Sequence, residues 1–372
     1  MIIKGSDVVT GWDALGDGLF VKREWKVNSQ QVFVDGVSLP QIGGTIVYPE
    51  GVWKGRVAGD QNTMSAGSFY YDQSKKNLYL TPVDGTLAGK TVEVSVRQFL
   101  VHGYDVHNYT LKNLTFTHSN STAFGQTGAL RMHGGGITLD NVKVMDCDGT
   151  GITIRGDNNV IKNSLFTRCG QFGVTGSGKN VKWLNNEITH NNTRGFYKEW
   201  GAGGMKFMAA SPLGGVSGLH DSEFVGNRVL FNKGDGIWFD SNNRNNLIAN
   251  NTVAYNAGSG IHYEISYGGV IRNNYVFGNT QRGIYVANSA DTVVEHNLVA
   301  CNGLEGVYAQ NAEKRAAIHP ARNNKVNANI IAWSGKHAVR LPSANYNNVS
   351  DNNLIVGPSP QYGVWDDVSN PT

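Results

Sequence analysis

The sequence predicts an all-β solenoid in which short strands stack coil upon coil, and three observations predict it. A strand motif recurs: Gly236-Ile237-Trp238-Phe239-Asp240 returns as Gly260-Ile261-His262-Tyr263-Glu264. Asparagines fall in columns at fixed distances ahead of that motif. The composition, with 47 Gly, 9 Pro and only 16% charged residues, suits a turn-rich β chain and not a helical one.

Taken in order, residues 1–96 lack the repeat. The segments QQVFVDGVSL, GSFYYDQSKKNLYL and KTVEVSVRQFLV alternate apolar with polar residues between Gly, Asp and Asn turns, which predicts antiparallel hairpins. They are expected to form an N-terminal β cap over the exposed end of the solenoid core, the alternative being a separate binding module.

The solenoid is expected over 97–372, in one structural domain with the cap. Its Gly/Ala-apolar strand starts at Ala129, Gly151, Gly173, Gly204, Gly236, Gly260, Gly283, Gly306, Ala338 and Gly363. Four residues ahead runs a column of Cys147, Cys169, Asn232, Asn256, Asn279, Asn302 and Ser334. Earlier still runs a second, from Asn141 and Asn163 through Asn186, Asn227, Asn251, Asn274, Asn297 and Asn329 to Asn353. Amides stacked at corners bond backbone and the next amide, so both columns, cysteines included, read as structural. With an apolar pair such as Leu247-Ile248 and a segment such as NTVAYN, each coil has three strands. That is the pattern of a right-handed parallel β-helix, with coils about 4.8 Å apart.

Insertions NTRGFYKEWGAG and AASPLGGVSG flank the GMKFM coil, and NAEKRAAIHPARNN precedes Ala338. The register is ambiguous at the first, where Gly195 also fits as the start of the coil strand. Insertions on one face of a solenoid usually shape a binding surface.

The formal charge of +3 is too small to argue for nucleic acid. No apolar run is long enough to span a bilayer. The opening MIIKGSDVVTGWDALG lacks the features of a leader, so a secreted or periplasmic protein would have its leader outside this sequence. Cys147, Cys169 and Cys301 have neither pairing arithmetic nor metal-ligand spacing. A monomer is expected.

Alternation along the Gly strand points two positions per coil outward. The first column reads Arg131, Thr153, Thr175, Lys206, Trp238, His262, Tyr285, Tyr308, Arg340 and Trp365. The second reads His133, Arg155, Ser177, Met208, Asp240, Glu264, Ala287, Gln310, Pro342 and Asp367. A merely solvated face has no reason to gather Trp, His, Tyr, Asp, Glu and Lys within three coils.

Asp240 and Glu264 occupy one position in adjacent coils. They suit a retaining glycosidase pair, a divalent-cation site, an ion-pair ladder with Lys206 and Arg155, or the orientation of substrate beside a separate base. Lys206 would act as a base only with a depressed pKa, and otherwise as a cation for a substrate carboxylate. His262 is the easier base near neutral pH. Trp238, Tyr285, Tyr308 and Trp365 suit sugar faces, and Tyr197 and Lys198 are expected to close over the groove.

The Gly-Ile strands and Asn columns from about residue 97 onward resemble the right-handed parallel β-helix superfamily of pectate lyases, alginate lyases, mannuronan epimerases and several glycosidases. Locally, GGMKF, GDGIWFD and GIHYEIS resemble single-domain bacterial members, some of them alginate or uronan lyases. That resemblance implies a cation for the C5 carboxylate (Lys206, Arg155 or Arg131), a base (His262 or Lys206) and a proton donor (Tyr197 or Tyr285). The Asp240/Glu264 pair is also similar to that of β-helix xylosidases, which carry an extra domain. No metal or cofactor is expected, a calcium ion at Asp240/Glu264 being disfavoured because the pectate lyase metal pattern is missing.

The first expectation is therefore a polysaccharide lyase cleaving an acidic, alginate-like uronan by β-elimination. Arg131, His133, Arg155, Lys198, Trp238, Tyr308, Gln310 and Arg340 would bind the chain. The alternatives are a retaining glycoside hydrolase using Asp240 and Glu264, a C5 epimerase, and a carbohydrate-binding solenoid without activity.

Overall fold

Strands of three residues with an apolar centre build the solenoid. In Leu247–Ala249, Val270–Arg272 and Val293–Glu295 the central Ile248, Ile271 and Val294 are fully buried while their neighbours point away. So short a strand cannot be stable alone, and each is held by parallel pairing to the coils above and below. A computed structural model describes residues 1–43, 58–121, 127–208, 218–342, 346–357 and 361–366.

Three parallel sheets of 10, 11 and 12 strands form the walls. They enclose a continuous apolar core, with Trp183, Phe207, Phe224 and Phe239 stacked edge and face along its axis. The 12-stranded sheet carries the Gly-apolar strands. In it Gly203–Met208 pairs with Phe172–Lys179 on one side and Asp235–Asp240 on the other. GMKFM is therefore the coil strand, and Gly195 lies in the insertion.

The expected register slips at the last coil. Val364 pairs with Arg340, and Trp365 with the inward Leu341. The pairing is one residue off the expected register; the Trp365 side chain and Asp367 lie outside what the structure describes.

The N-terminal strand Ile2–Lys4 pairs in parallel with Thr115–Thr117 and so opens the 11-stranded sheet. The hairpins follow as two antiparallel four-stranded sheets with a separate apolar core of Val32, Phe69, Leu78, Leu80 and Val94. Polar contacts fasten them to the solenoid: Ser6 Oγ lies 3.0 Å from His118 Nδ1, and His118 stacks on Phe33 at 3.7 Å.

Corners combine a left-handed residue with a buried amide. Asn250 at φ 57° precedes Asn251, and Tyr255 at φ 56° precedes Asn256. Asn251 Nδ2 donates to the Phe224 carbonyl and to Asn274 Oδ1, both at 2.9 Å, while its own Oδ1 accepts from Asn227. The chain of amides runs from Asn186 to Asn353. Asn141 and Asn163 are not rungs of it, because each takes the left-handed corner position, and Ser164 next door supplies the rung to Asn186. The other column gains Asn191, which bridges Cys169 and Asn232 across the insertion. A third ladder includes Asn324 and Asn348.

Replacing a central rung strands several buried groups at once, each costing about 1–3 kcal/mol. Asn251→Ala is therefore expected to lower stability by at least ~3 kcal/mol in denaturant unfolding. An effect below ~1 kcal/mol would show that the amides stack without bearing on stability.

Candidate active site

The outward face of the 12-stranded sheet collects the polar side chains. Parallel pairing sets Lys206 beside Trp238, Trp238 beside His262, His262 beside Tyr285 and Tyr285 beside Tyr308. In the next column Asp240 faces Glu264, and Ala287 faces Gln310. Trp238 and Tyr308 are only 4% exposed although they point out of the solenoid. The walls come from the insertions: Trp200 lies over Lys206, and the short helix Glu313–Ala316 carries Arg315 to Glu264.

Lys206 is 1% exposed. Its Nζ lies 3.0 Å from Asp240 Oδ2, donates to the Trp200 carbonyl at 2.7 Å and sits 3.5 Å from the centre of the Trp238 ring. Burial pushes the Asp240 carboxyl up, but the Lys206 ammonium, with hydrogen bonds from Lys206 and Ser241, outweighs it. The net position is below the usual aspartate range. Lys206 is thus spent inside the protein. A buried ammonium against a carboxylate has no free lone pair to take a C5 proton, and no open side for a substrate carboxylate.

His262 is clamped between rings, 5.0 Å from Trp238 and 4.5 Å from Tyr285. Its Nδ1 lies 2.8 Å from Asp235 Oδ2, and Asp235 Oδ1 accepts the Ser259 N–H. Asp235 acts as acceptor at both oxygens, so Nδ1 carries the proton. Nε2 is buried without a hydrogen-bond partner, 3.7 Å from Glu264 Oε2. Glu264 also accepts from Trp238 Nε1 at 3.1 Å and pairs with Arg315.

Tyr285 gives its hydroxyl to Gln310, and burial pushes its pKa up to about 12. Its hydroxyl therefore keeps its proton at neutral pH. Arg282 lies over both Tyr285 and Tyr308, and Arg340 over Tyr308. Buried Glu305 holds the cations of this end, with Arg282 Nε at 3.1 Å and Arg340 at 3.4 Å. Arg340 therefore serves an internal charge cluster as well as the face.

The remaining expected residues lie apart. Tyr197 donates to Glu199 within its loop, and Lys198 donates to the Ala257 carbonyl at 2.6 Å. Arg131, His133 and Arg155 stand at the N-terminal end of the same face, Arg155 three coils before Asp240. The ladder with Lys206 thus includes Asp240 but not Arg155. Among the described residues no cluster of three or more His, Cys, Asp or Glu could hold a metal ion.

A family model described as the right-handed β-helix region matches residues 62–211 and 214–371. The chain belongs to that family. Among solved structures, the protein named XylC, in a complex with xylose, matches all of this chain and 74% of its own, with a TM-score of 0.62 at 14% identity. PfbA, a surface adhesin of Streptococcus pneumoniae, matches 73% of this chain and 76% of its own, with a TM-score of 0.53 at 12% identity. The mannuronan C-5 epimerase AlgE4 A-module of Azotobacter vinelandii matches 72% and 74%, with a TM-score of 0.49 at 16% identity. A search of curated proteins found no match. The likenesses to XylC and PfbA speak for the β-helix alone. No helix among the described residues is long and apolar enough to cross a membrane.

Within this β-helix, sequence reasoning missed Asp235, Arg315, Arg282 and Glu305. A signal existed for three of them: Asp235, Arg282 and Glu305 each stand immediately before the strand glycine, a place held elsewhere by Thr150, Ser259 and His337. Arg315 had none, because its reach depends on how the insertion folds back.

Proposed function

We propose that this β-helix protein is a retaining glycoside hydrolase acting on a polysaccharide, with Asp240 as nucleophile and Glu264 as acid/base. The observation that carries the reading is the buried Lys206–Asp240 pair one coil from Glu264. It keeps Asp240 ionised, as a nucleophile must be. Adjacent positions in parallel strands are about 4.8 Å apart, close to the separation of about 5–5.5 Å that retention needs. The β-elimination expected first loses Lys206 both as cation and as base when that side chain is buried, which leaves it Arg131 or Arg155 and His262.

In the proposed reaction the Asp240 carboxylate attacks the anomeric carbon while protonated Glu264 gives its proton to the departing glycosidic oxygen. Glu264 then takes a proton from water, which attacks the anomeric carbon and frees Asp240. His262 Nε2 faces Glu264 Oε2 at 3.7 Å, and Asp235 orients that ring as a positioning residue. Arg315 is half exposed, so water screens its pull on Glu264. Tyr285, less buried than Trp238, would line the sugar subsite. The chemistry uses no metal: Lys206 and Arg315 already oppose the two carboxylates. A glycan substrate of this kind implies action in the periplasm or outside the cell.

A second reading, β-elimination or C5 epimerisation with His262 as base, is favoured by its unpartnered Nε2. Both are tested on one panel of neutral and uronate polysaccharides. Proton NMR of the first product is expected to show retained anomeric configuration and reducing ends without ultraviolet absorbance. Absorbance growing with cleavage would mean an unsaturated product and overturn the hydrolase.

A further inference from the structure

Three coils before Asp240 the same face carries an uncompensated basic cluster. Arg131 and Arg155 make no ion pair with any carboxylate among the described residues, and the Arg131 guanidinium lies over the Phe99 ring at 5.9 Å. His133 is pushed down to about 4, first by burial and then by Arg155, Arg131 and His102; no acidic group offsets them. Arg155 is itself held below the usual arginine range by burial and by Arg131.

Two unfilled hydrogen-bonding groups stand beside these cations. His133 Nε2 is buried with no partner, and so is Ser177 Oγ, on a residue 2% exposed that pairs with Arg155 in the next coil. A protein leaves a buried hydroxyl unpaired at a cost of about 1–3 kcal/mol, and two arginines without a counter-charge repel each other. One anion between them answers both deficits. Planar guanidinium groups suit carboxylate and sulfate oxygens in two-point contact.

We infer that Arg131, His133, Arg155 and Ser177 form a subsite for an anionic substituent, carboxylate or sulfate, on a glycan lying along this face. The subsite is about 14 Å from Asp240, a few sugar residues along the chain from the bond cut. It deepens the hydrolase reading and rests on it for that alignment, and it makes the substrate an acidic polysaccharide. The far end offers no equivalent, since Glu305 already occupies Arg282 and Arg340.

Calorimetry on the Glu264→Gln protein, with turnover blocked, tests the subsite. The probes are an oligoglucuronate, its carboxyl-reduced counterpart and a sulfated neutral oligosaccharide of equal length. At least one charged probe is expected to bind ten-fold or more tightly than the reduced chain, with affinity falling as salt is raised. Whichever charged probe binds identifies the substituent. Arg155→Gln and Arg131→Gln are each expected to remove most of that preference, and binding is expected to raise the His133 titration midpoint in NMR by a unit or more. Equal affinity for charged and reduced chains overturns the subsite, and this comparison stands even if neither arginine variant folds. Tighter binding of a DNA oligonucleotide of equal charge overturns it too. A ten-fold preference in a protein that releases no reducing ends from any glycan supports the subsite while sinking the hydrolase.

Discussion

Asp240→Asn is expected to cut turnover by about 10⁴-fold, equivalent to about 5 kcal/mol of transition-state stabilisation. The amide keeps the shape of the carboxylate but cannot form the glycosyl ester. Substrate binding, which falls to the rings and the arginines, should change far less. Because the amide also leaves the Lys206 ammonium buried without its counter-charge, folding is checked by circular dichroism beside the assay. The partner variant behaves differently. Glu264→Gln removes the proton donor, so hydrolysis of a natural glycan should fall by about 10²–10⁴-fold. An aryl glycoside whose phenolate leaves without help should still glycosylate Asp240 quickly. The intermediate then accumulates, since no base activates water, and mass spectrometry of the digested protein should find the sugar on the peptide containing Asp240. A sugar on Glu264 instead would reverse the two roles, and full activity in Asp240→Asn would remove this pair from the chemistry.

The solenoid is legible in the sequence for a physical reason. Stacked coils repeat one environment, so Gly236 and Gly260 recur because each faces a backbone carbonyl of the next coil at 2.6 and 2.8 Å from where a Cβ would sit. Buried corner amides repeat because each needs the next one as its partner. Errors arise where repetition stops. Asn191 is hidden by the insertion behind it, Asn163 resembles a rung although Ser164 is one, and Trp365 pairs one place from where the repeat sets it.

The site was legible only in outline. Alternation along the strands brings Trp238, Asp240, His262, Glu264 and Tyr285 to one face, as a local rule should. Burial is a different matter. Lys206 points outward by the same rule, yet the Trp200 carbonyl and the Trp238 ring seal it in, and Trp200 arrives from an insertion whose path no periodicity describes. Asp235 opens its strand, one place ahead of the glycine from which alternation is read, and its carboxylate reaches His262.

Lys206→Met separates the readings most sharply. Removing one partner of a buried pair should cost about 3–5 kcal/mol in stability near pH 7. The loss should depend on pH in a defined sense. In the native protein the Asp240 carboxyl sits below its ordinary range, so the pair stabilises the fold above the unfolded aspartate value, about 3.9. That contribution disappears as pH falls through the lower folded value. In the variant burial acts without its main opponent and carries the carboxyl above the ordinary range. The folded state then binds its proton more readily than the unfolded chain, and stability declines as pH rises. The gap between the two proteins should thus be widest near neutrality and close toward about pH 3. Denaturant unfolding at intervals from pH 3 to 8 measures it, and a gap independent of pH would mean that the two side chains do not act as an ion pair. Kinetics give the second half of the argument. If Lys206 only keeps Asp240 ionised, the acid limb of the rate profile moves to higher pH in Lys206→Met, and activity returns in part on the alkaline side. If Lys206 were itself the base, activity would be lost at every pH and no limb would move.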